Sequence, residues 1–105
     1  MNMSDRTAAI EAMLSKNPED VFLRYSLGME YASTGRLDEA CEQFDLCLHA
    51  DADYLPAYVE AGKAYRQAGR GNKAKEMFAR GLEIALKTGD NHTADRIRQQ
   101  MELLK

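Results

Sequence analysis

An internal repeat with a period of 34 residues constrains this chain more than any other feature of its sequence. The stretch 27–48 returns as 61–82 without a gap, at the separation between Gly28 and Gly62. The identical pairs are Gly28 and Gly62, Tyr31 and Tyr65, Gly35 and Gly69, Arg36 and Arg70, Ala40 and Ala74, Glu42 and Glu76, Phe44 and Phe78, and Leu48 and Leu82. A fixed period of this length is typical of stacked repeats, in which each unit needs its neighbours to bury its apolar face.

Each copy of the repeat predicts two helices joined by a tight turn. Leu27, Gly28 and Tyr31 fall on one side of a first helix, where the glycine lets a second backbone approach closely. Gly35 is the predicted stop, because glycine tolerates the left-handed conformation that ends many helices. The second helix carries an apolar stripe at Ala40, Phe44, Cys47 and Leu48. The unit is therefore a helical hairpin.

This pattern resembles the tetratricopeptide repeat, in which an aromatic residue, Leu-Gly, Tyr, Gly, Ala, Phe and Leu recur at fixed positions. The second copy fits the pattern from Tyr58 to Leu82. The first copy fits from Leu27, and it departs at Arg24 and Ala52, where the family favours an aromatic residue and proline. The resemblance implies an all-α fold, a right-handed stack of antiparallel helical hairpins with about six helices. It also implies a non-enzymatic module for protein–protein interaction.

The repeat register predicts one domain, 1–105, with four segments. The segments are an N-terminal half-repeat helix at 4–17, repeat 1 at 21–54, repeat 2 at 55–88 and a C-terminal capping helix at 90–105. The half-repeat follows from phase, because Ile10 and Leu14 precede Phe44 and Leu48 by one period. Met13 is expected on the same buried stripe.

Capping residues and prolines predict where the helices begin and end. Asn17 is the predicted cap of the second helix, with Pro18 in its first position, and Asp53 is the predicted cap of the fourth. Leu86 stands where the family places proline, so the fifth helix should run about one turn longer than its counterpart. The last helix is expected to start with a cap at Asp90 or Asn91 and to carry an apolar stripe at Ala94, Ile97, Met101 and Leu104.

Composition narrows the classes of function. A chain of 105 residues with 45% hydrophobic and 30% charged residues is ordinary for one globular domain. A net charge of −3 argues against a nucleic-acid partner. The sequence has no apolar stretch of membrane-spanning length and no signal-peptide pattern at its start. We therefore expect a cytoplasmic location and no membrane partner. Cys41 and Cys47 point to different faces of one helix and should stay reduced.

No arrangement of residues predicts catalysis, a metal or a cofactor. His49 and His92 are isolated from each other and from any group of ligands at metal-site spacing. The acidic residues around Asp51 lack the glycine and glutamate of a calcium loop. We therefore expect no enzyme activity, no metal and no cofactor.

The resemblance implies a partner-binding surface on the concave face, which the first helix of each repeat lines in the family. The candidate residues are Phe22, Tyr25, Met29, Ser33, Val59, Lys63, Arg66 and Gln67. One half is apolar and the other basic, which predicts a protein or peptide partner that is apolar at one end and acidic at the other. Family members that hold the C-terminal tails of heat-shock chaperones use Lys and Asn where this chain has Tyr25 and Met29, so such tails are not expected.

Two other interpretations stay open at this point. In the first, Phe22 and Tyr25 only pack against the N-terminal helix, and Lys63 and Arg66 form an ordinary solvated face. In the second, the chain is a structural or scaffold element that self-associates, giving a weak homo-oligomer through its C-terminal helices. An RNA-binding helical repeat is disfavoured by the acidic charge balance.

Overall fold

The computed structural model describes residues 5–104, and six α-helices joined by short turns make up that range. The described residues contain no strand, so the fold is all-α, as predicted. The helices are α1 (Asp5–Lys16), α2 (Val21–Ser33), α3 (Leu37–Ala50), α4 (Leu55–Gln67), α5 (Gly71–Thr88) and α6 (Asn91–Glu102). Helix α2 packs on α3 and α4 packs on α5, and each of these hairpins also packs on the helix that follows it.

Glycine ends the first helix of each hairpin, as the sequence predicts. Gly35 and Gly69 both have φ of 80°, in the left-handed region that a side chain with a Cβ rarely adopts. The next residue, Arg36 or Arg70, donates its backbone N–H to the carbonyl five residues earlier, at 2.9 and 2.8 Å respectively. This bond satisfies a carbonyl at the helix end and reverses the chain into the second helix.

In each hairpin, a glycine of the first helix packs against a phenylalanine ring of the second helix. A Cβ placed on Gly28 would lie 2.5 Å from the Phe44 ring, and one on Gly62 would lie 2.6 Å from Cδ1 of Phe78. Both phenylalanines are completely buried. The two glycines are therefore required for packing, which confirms the predicted close approach of the paired helices.

Helix α1 packs on α2 through only part of the stripe that its sequence predicts. Ile10 and Leu14 are buried, with 6% and 5% exposure, but Met13 is 47% exposed. The expectation that Met13 joins the core is wrong. Its counterpart one period later, Cys47, is fully buried because it packs against the preceding helix, with its thiol 3.4 Å from the Val21 carbonyl oxygen. Helix α1 has no such hairpin partner among the described residues, and that side stays open to solvent.

The predicted cap of α2 is also wrong. The helix begins at Val21, and the carboxylate of Asp20 caps it by accepting a hydrogen bond of 2.9 Å from the Leu23 amide. Asn17 and Pro18 lie in the turn before the helix, which the Asp20 N–H closes with a bond of 3.1 Å to the Asn17 carbonyl. Since proline lacks an N–H, the turn places it where no helical hydrogen bond is lost.

Asp53 does not cap α4. Tyr54 occupies the cap position, and no side chain there accepts a helix amide. Asp53 instead donates its own backbone N–H to Oδ1 of Asp51 at 2.9 Å, which is a local turn built on an aspartate side chain. Pro56 lies in the first turn of α4, where it is tolerated.

The C-terminal helices follow the prediction more closely. Helix α5 has 18 residues against 14 in α3, and Gly89 ends it with φ of 76°. Asp90 caps α6 by accepting the Thr93 amide at 3.0 Å. Ile97 of α6 is completely buried against α5. Within residues 5–104, no helix combines the length and apolar character needed to cross a membrane.

Candidate partner-binding groove

Three helices contribute equivalent side chains to one cavity of about 220 Å³. Tyr25 of α2, Val59 of α4 and Thr93 of α6 follow one another at the repeat period, and all three line it. The other lining residues are Leu55, Pro56, Glu60, Asp90 and Arg96. Helix α6 thus forms a wall of this cavity in addition to covering α5.

A second cavity, also of about 220 Å³, lies between α2 and α4. Its lining residues are Met29, Ala32, Ser33, Glu60, Lys63, Ala64 and Gln67. Glu60 lines both cavities, so they are neighbours on the two sides of its side chain. We call them the Tyr25 cavity and the Met29 cavity, and together the groove.

Most of the candidate residues from the sequence line this groove. Tyr25 and Val59 line the Tyr25 cavity, and four more candidates line the Met29 cavity: Met29, Ser33, Lys63 and Gln67. Phe22 and Arg66 line neither cavity. Phe22 is nevertheless 63% exposed on the first turn of α2, so it is not absorbed by the core. The part of each residue in partner binding stays a prediction.

The Tyr25 ring is held in place by two aromatic neighbours. Its centroid lies 6.0 Å from Phe44 in a tilted arrangement and 5.5 Å from Tyr54 in an edge-on arrangement. Burial raises the pKa of Tyr25, the Glu60 charge adds to this, and Arg96 opposes it. The phenol is therefore protonated at neutral pH and can donate a hydrogen bond. The ring therefore packs against the core and also lines the groove. Its aromatic neighbours are Phe44 of α3 and Tyr54, whereas the alternative interpretation expects it to pack against the N-terminal helix.

The basic half that the sequence predicts is largely compensated within the protein. The ammonium group of Lys63 lies 3.4 Å from the Glu60 carboxylate, one helical turn away. Arg66 donates a hydrogen bond to the side-chain oxygen of Gln100 on α6. The sequence pattern predicts Lys63 and Arg66 as available cations, because neither the pairing with Glu60 nor the position of α6 follows from the repeat. The groove between α2 and α4 is therefore mixed in charge.

Sequence reasoning missed the residues that α6 and its cap bring to the groove. Asp90, Thr93 and Arg96 line the Tyr25 cavity, although the chain there departs from the repeat pattern. Continuing the 34-residue register beyond the second repeat would have found Thr93, which follows Val59 by one period. Arg96 falls where the second repeat has Gly62, so no repeat position points to it.

The two thiols are not activated for chemistry. Cys41 and Cys47 are both free and buried. Burial raises the pKa of each to about 11, so the thiolate is scarce at neutral pH. Among residues 5–104, no three His, Cys, Asp or Glu side chains are grouped closely enough to hold a metal ion.

Comparison with known sequences identifies the protein family of this chain. The family model described as tetratricopeptide repeat matches residues 23–54 and 55–88. The chain belongs to the tetratricopeptide repeat (TPR) family. A TPR repeat-containing protein of Pseudomonas aeruginosa is 32% identical over 81 residues, which is 77% of this chain and 77% of that protein.

Solved structures show the same TPR fold. A protein of Bordetella parapertussis, solved in solution, is 27% identical, covers 97% of this chain and 89% of its own, and superimposes with a TM-score of 0.83. The type III secretion translocator chaperone SycD of Yersinia enterocolitica gives a TM-score of 0.89 at 17% identity, over 95% of this chain and 70% of its own. The TPR2B domain of yeast Sti1, in its complex with pHsp70, gives 0.87 at 17% identity, over 93% and 78%.

Proposed function

We propose that this TPR protein is a non-enzymatic interaction module that binds a segment of a partner protein in the groove. The observation that carries the proposal is the pair of neighbouring cavities, whose walls combine apolar side chains with polar ones across three helices. Such open, mixed surfaces suit an extended peptide, because side chains can enter the cavities while the peptide backbone stays outside.

Partner binding by proteins of the same fold supports the proposal. The TPR2B domain of Sti1 was solved as a complex with pHsp70, and SycD is a translocator chaperone. Their identity to this chain is 17%, so the likeness concerns the fold, and the partner has to be derived from the residues of this groove. We place the module in the cytoplasm, where its two free thiols stay reduced.

The groove is small, and this limits the expected affinity. Two cavities accept about two partner side chains, with Met29 and Val59 as apolar contacts and Phe22 exposed nearby on α2. We expect a dissociation constant in the micromolar range, which corresponds to a binding free energy of about −8 kcal/mol. Truncating a central contact in such an interface costs about 1 kcal/mol or more, whereas peripheral residues cost little.

Site-specific crosslinking tests the location of binding. A photoreactive phenylalanine derivative at Met29 reports on the groove, and the same derivative at Leu46, 41% exposed on α3 and outside both cavities, is the matched control. The proposal expects a partner to crosslink from Met29 and not from Leu46 in extract of the native cell. The recovered partner is then titrated against the parent, Tyr25→Ala and Leu46→Ala. Crosslinking from Leu46 alone would place the binding surface elsewhere and contradict the proposal.

Self-association through the C-terminal helices is the second candidate function. Leu86 on α5 is 49% exposed and offers some apolar surface for it. The solvent side of α6 is polar, since His92, Asp95 and Arg98 are all exposed. Light scattering after size-exclusion chromatography separates the two candidates, because the interaction module is expected to be a monomer without its partner.

A further inference from the structure

We propose that the Tyr25 cavity binds the side-chain carboxylate of an Asp or Glu in the partner segment, with the Arg96 guanidinium and the Tyr25 hydroxyl as its two donors. This inference rests on the proposed function and makes it more specific. It also differs from the sequence prediction, in which the acidic end of the partner binds next to Lys63 and Arg66.

Arg96 is the charged group of this cavity that forms no direct pair with a described residue. Hydrogen bonds from Thr93 lower the pKa of Asp90, and the Arg96 charge adds to this effect without an ion pair. Asp90 is used within α6: its two carboxylate oxygens accept the Thr93 amide at 3.0 Å and the Thr93 hydroxyl at 2.8 Å. It also lies at the positive end of the α6 dipole. Glu60 is countered by Lys63 at 3.4 Å. Arg96 makes no ion pair or hydrogen bond with any residue of the described chain, although its side chain lines the cavity.

The Tyr25 hydroxyl is the second donor that the fold does not use. Tyr31 donates to Glu11, Tyr58 to the Ala52 carbonyl and Tyr65 to Asp45. The hydroxyls of Tyr25 and Tyr54 donate to no described residue, and of these two only Tyr25 lines the cavity. Tyr25 makes only ring contacts with the described residues, and no buried polar side-chain atom among them lacks a partner. Its hydroxyl is therefore reached by solvent in the cavity, while Phe44 and Tyr54 fix the ring. A donor held in this way needs little reorganisation to bind a ligand.

A carboxylate matches this pair of donors in chemistry and size. The planar guanidinium group forms parallel hydrogen bonds to both oxygens of a carboxylate, and a phenol can add a third. A volume of 220 Å³ corresponds to roughly seven water molecules, which leaves room for one acidic side chain whose methylene groups lie on Pro56 and Val59. We commit to a side chain, and a chain terminus, which has the same chemistry, is a separate outcome of the test below.

The spacing of the two cavities predicts the sequence pattern of the partner. Val59 and Lys63 line different cavities and are one helical turn apart, which is about 6 Å along α4. An extended chain covers that distance in about two residues, and alternate side chains point the same way. The expected partner motif is therefore an acidic residue and an apolar residue separated by one other residue, in either direction.

Defined peptide pools test this motif directly. The probes are acetylated and amidated heptapeptides with a central Glu-x-Leu or Leu-x-Glu, so that they carry no terminal charge. Matched pools carry Gln in place of Glu, Glu and Leu as direct neighbours, or Gln with a free C-terminal carboxylate. Amide chemical shifts of Met29, Lys63, Thr93 and Arg96 report on the two cavities, and single peptides from the best pool are titrated. Protein variants are Arg96→Gln and Tyr25→Phe, with Arg98→Gln as the control, since Arg98 is on the same helix but pairs with Asp95.

The expected pattern of affinities is specific to a carboxylate held by Arg96. Replacing Glu by Gln in the peptide, or Arg96 by Gln in the protein, should weaken binding about tenfold. Making both changes together should weaken binding no more than either change alone. Tyr25→Phe should cost about threefold, and Arg98→Gln nothing. Equal affinity of Glu and Gln peptides, with shifts still in the groove, overturns this inference and leaves the proposed function standing. Tight binding by the Gln pool with a free terminus assigns the site to a chain end instead. No groove shift with any pool contradicts both.

Discussion

The hydroxyl of Tyr65 donates a hydrogen bond of 2.6 Å to the carboxylate of Asp45, which ties α4 to α3 of the preceding hairpin. One period earlier, Tyr31 makes the equivalent bond of 2.8 Å to Glu11 of α1. Helix α1 is therefore tied to α2 by the same kind of hydrogen bond that ties α3 to α4. The first helix continues the repeat register in its contacts as well as in its sequence.

Leu14 should contribute much more to stability than its neighbour Met13. Replacing buried Leu14 by alanine removes apolar contacts and leaves a cavity, which costs about 2 to 4 kcal/mol of unfolding free energy. Met13→Ala should change it by less than about 1 kcal/mol, because that side chain is 47% exposed. Urea denaturation measures both. An equal loss for the two variants would show that α1 does not pack through Leu14.

Gly62 and Gly71 should respond in opposite ways to alanine. At Gly62 the new methyl group overlaps the buried Phe78 ring, and the expected loss of stability is about 1 to 3 kcal/mol. At Gly71, the first residue of α5, the methyl group meets nothing within 4 Å, and helix propensity gives a gain of at most about 1 kcal/mol. Thermal melting compares them. A Gly62→Ala protein that melts above the parent contradicts the close contact between α4 and Phe78.

The repeat period is what makes this fold predictable from sequence. Identity at Gly28, Gly62, Phe44 and Phe78 encodes the same glycine-to-ring contact twice, and the structure shows both. The sequence predictions were wrong in two kinds of place. One is a repeat position whose packing partner is missing, and the other is a residue that was predicted to cap a helix but lies in a turn. Met13 is in phase with buried Cys47, but burial at that position depends on a hairpin partner that the described part of α1 lacks.

The candidate site is only partly encoded in the repeat. The resemblance to the family predicts Tyr25, Met29 and Lys63, because it implies that these positions of the first helices lie on the concave face, and all three line the groove. The charge state of that surface depends on pairs such as Lys63 with Glu60, which an analysis of single positions does not reveal. Arg96 reaches the groove from the capping helix, where the sequence no longer follows the repeat, so only the packing of α6 brings it there.

Removing α6 should expose the apolar side of α5 and cause association. A chain that ends at Gly89 loses Ile97, which is completely buried beside Gly81. Exposed apolar surface of this kind promotes aggregation. We expect lower stability and a larger mass by light scattering, whereas Arg98→Ala, on the solvent side of α6, should behave as the parent. If the C-terminal helices instead mediate self-association, the full chain is the oligomer and the truncated chain is the monomer.

Alkaline pH should destabilise the protein partly through its two cysteines. Burial raises the pKa of Cys41 from 9.0 to about 11, with Asp45 adding to the effect, and burial does the same for Cys47. The folded state thus favours the neutral thiol. The stability that this preference contributes is complete below pH 9, and it is lost as the pH rises towards 11 because the unfolded chain releases its protons first.

The matched variant for this prediction is Cys41→Ala combined with Cys47→Ala. Its unfolding free energy, measured by urea denaturation from pH 8 to pH 11, should start below that of the parent but fall less steeply. The tyrosines also titrate in this range, and they are unchanged in the variant, so the difference between the two slopes isolates the thiols. Parallel curves would show that the thiols are as readily deprotonated in the folded protein as in the unfolded chain.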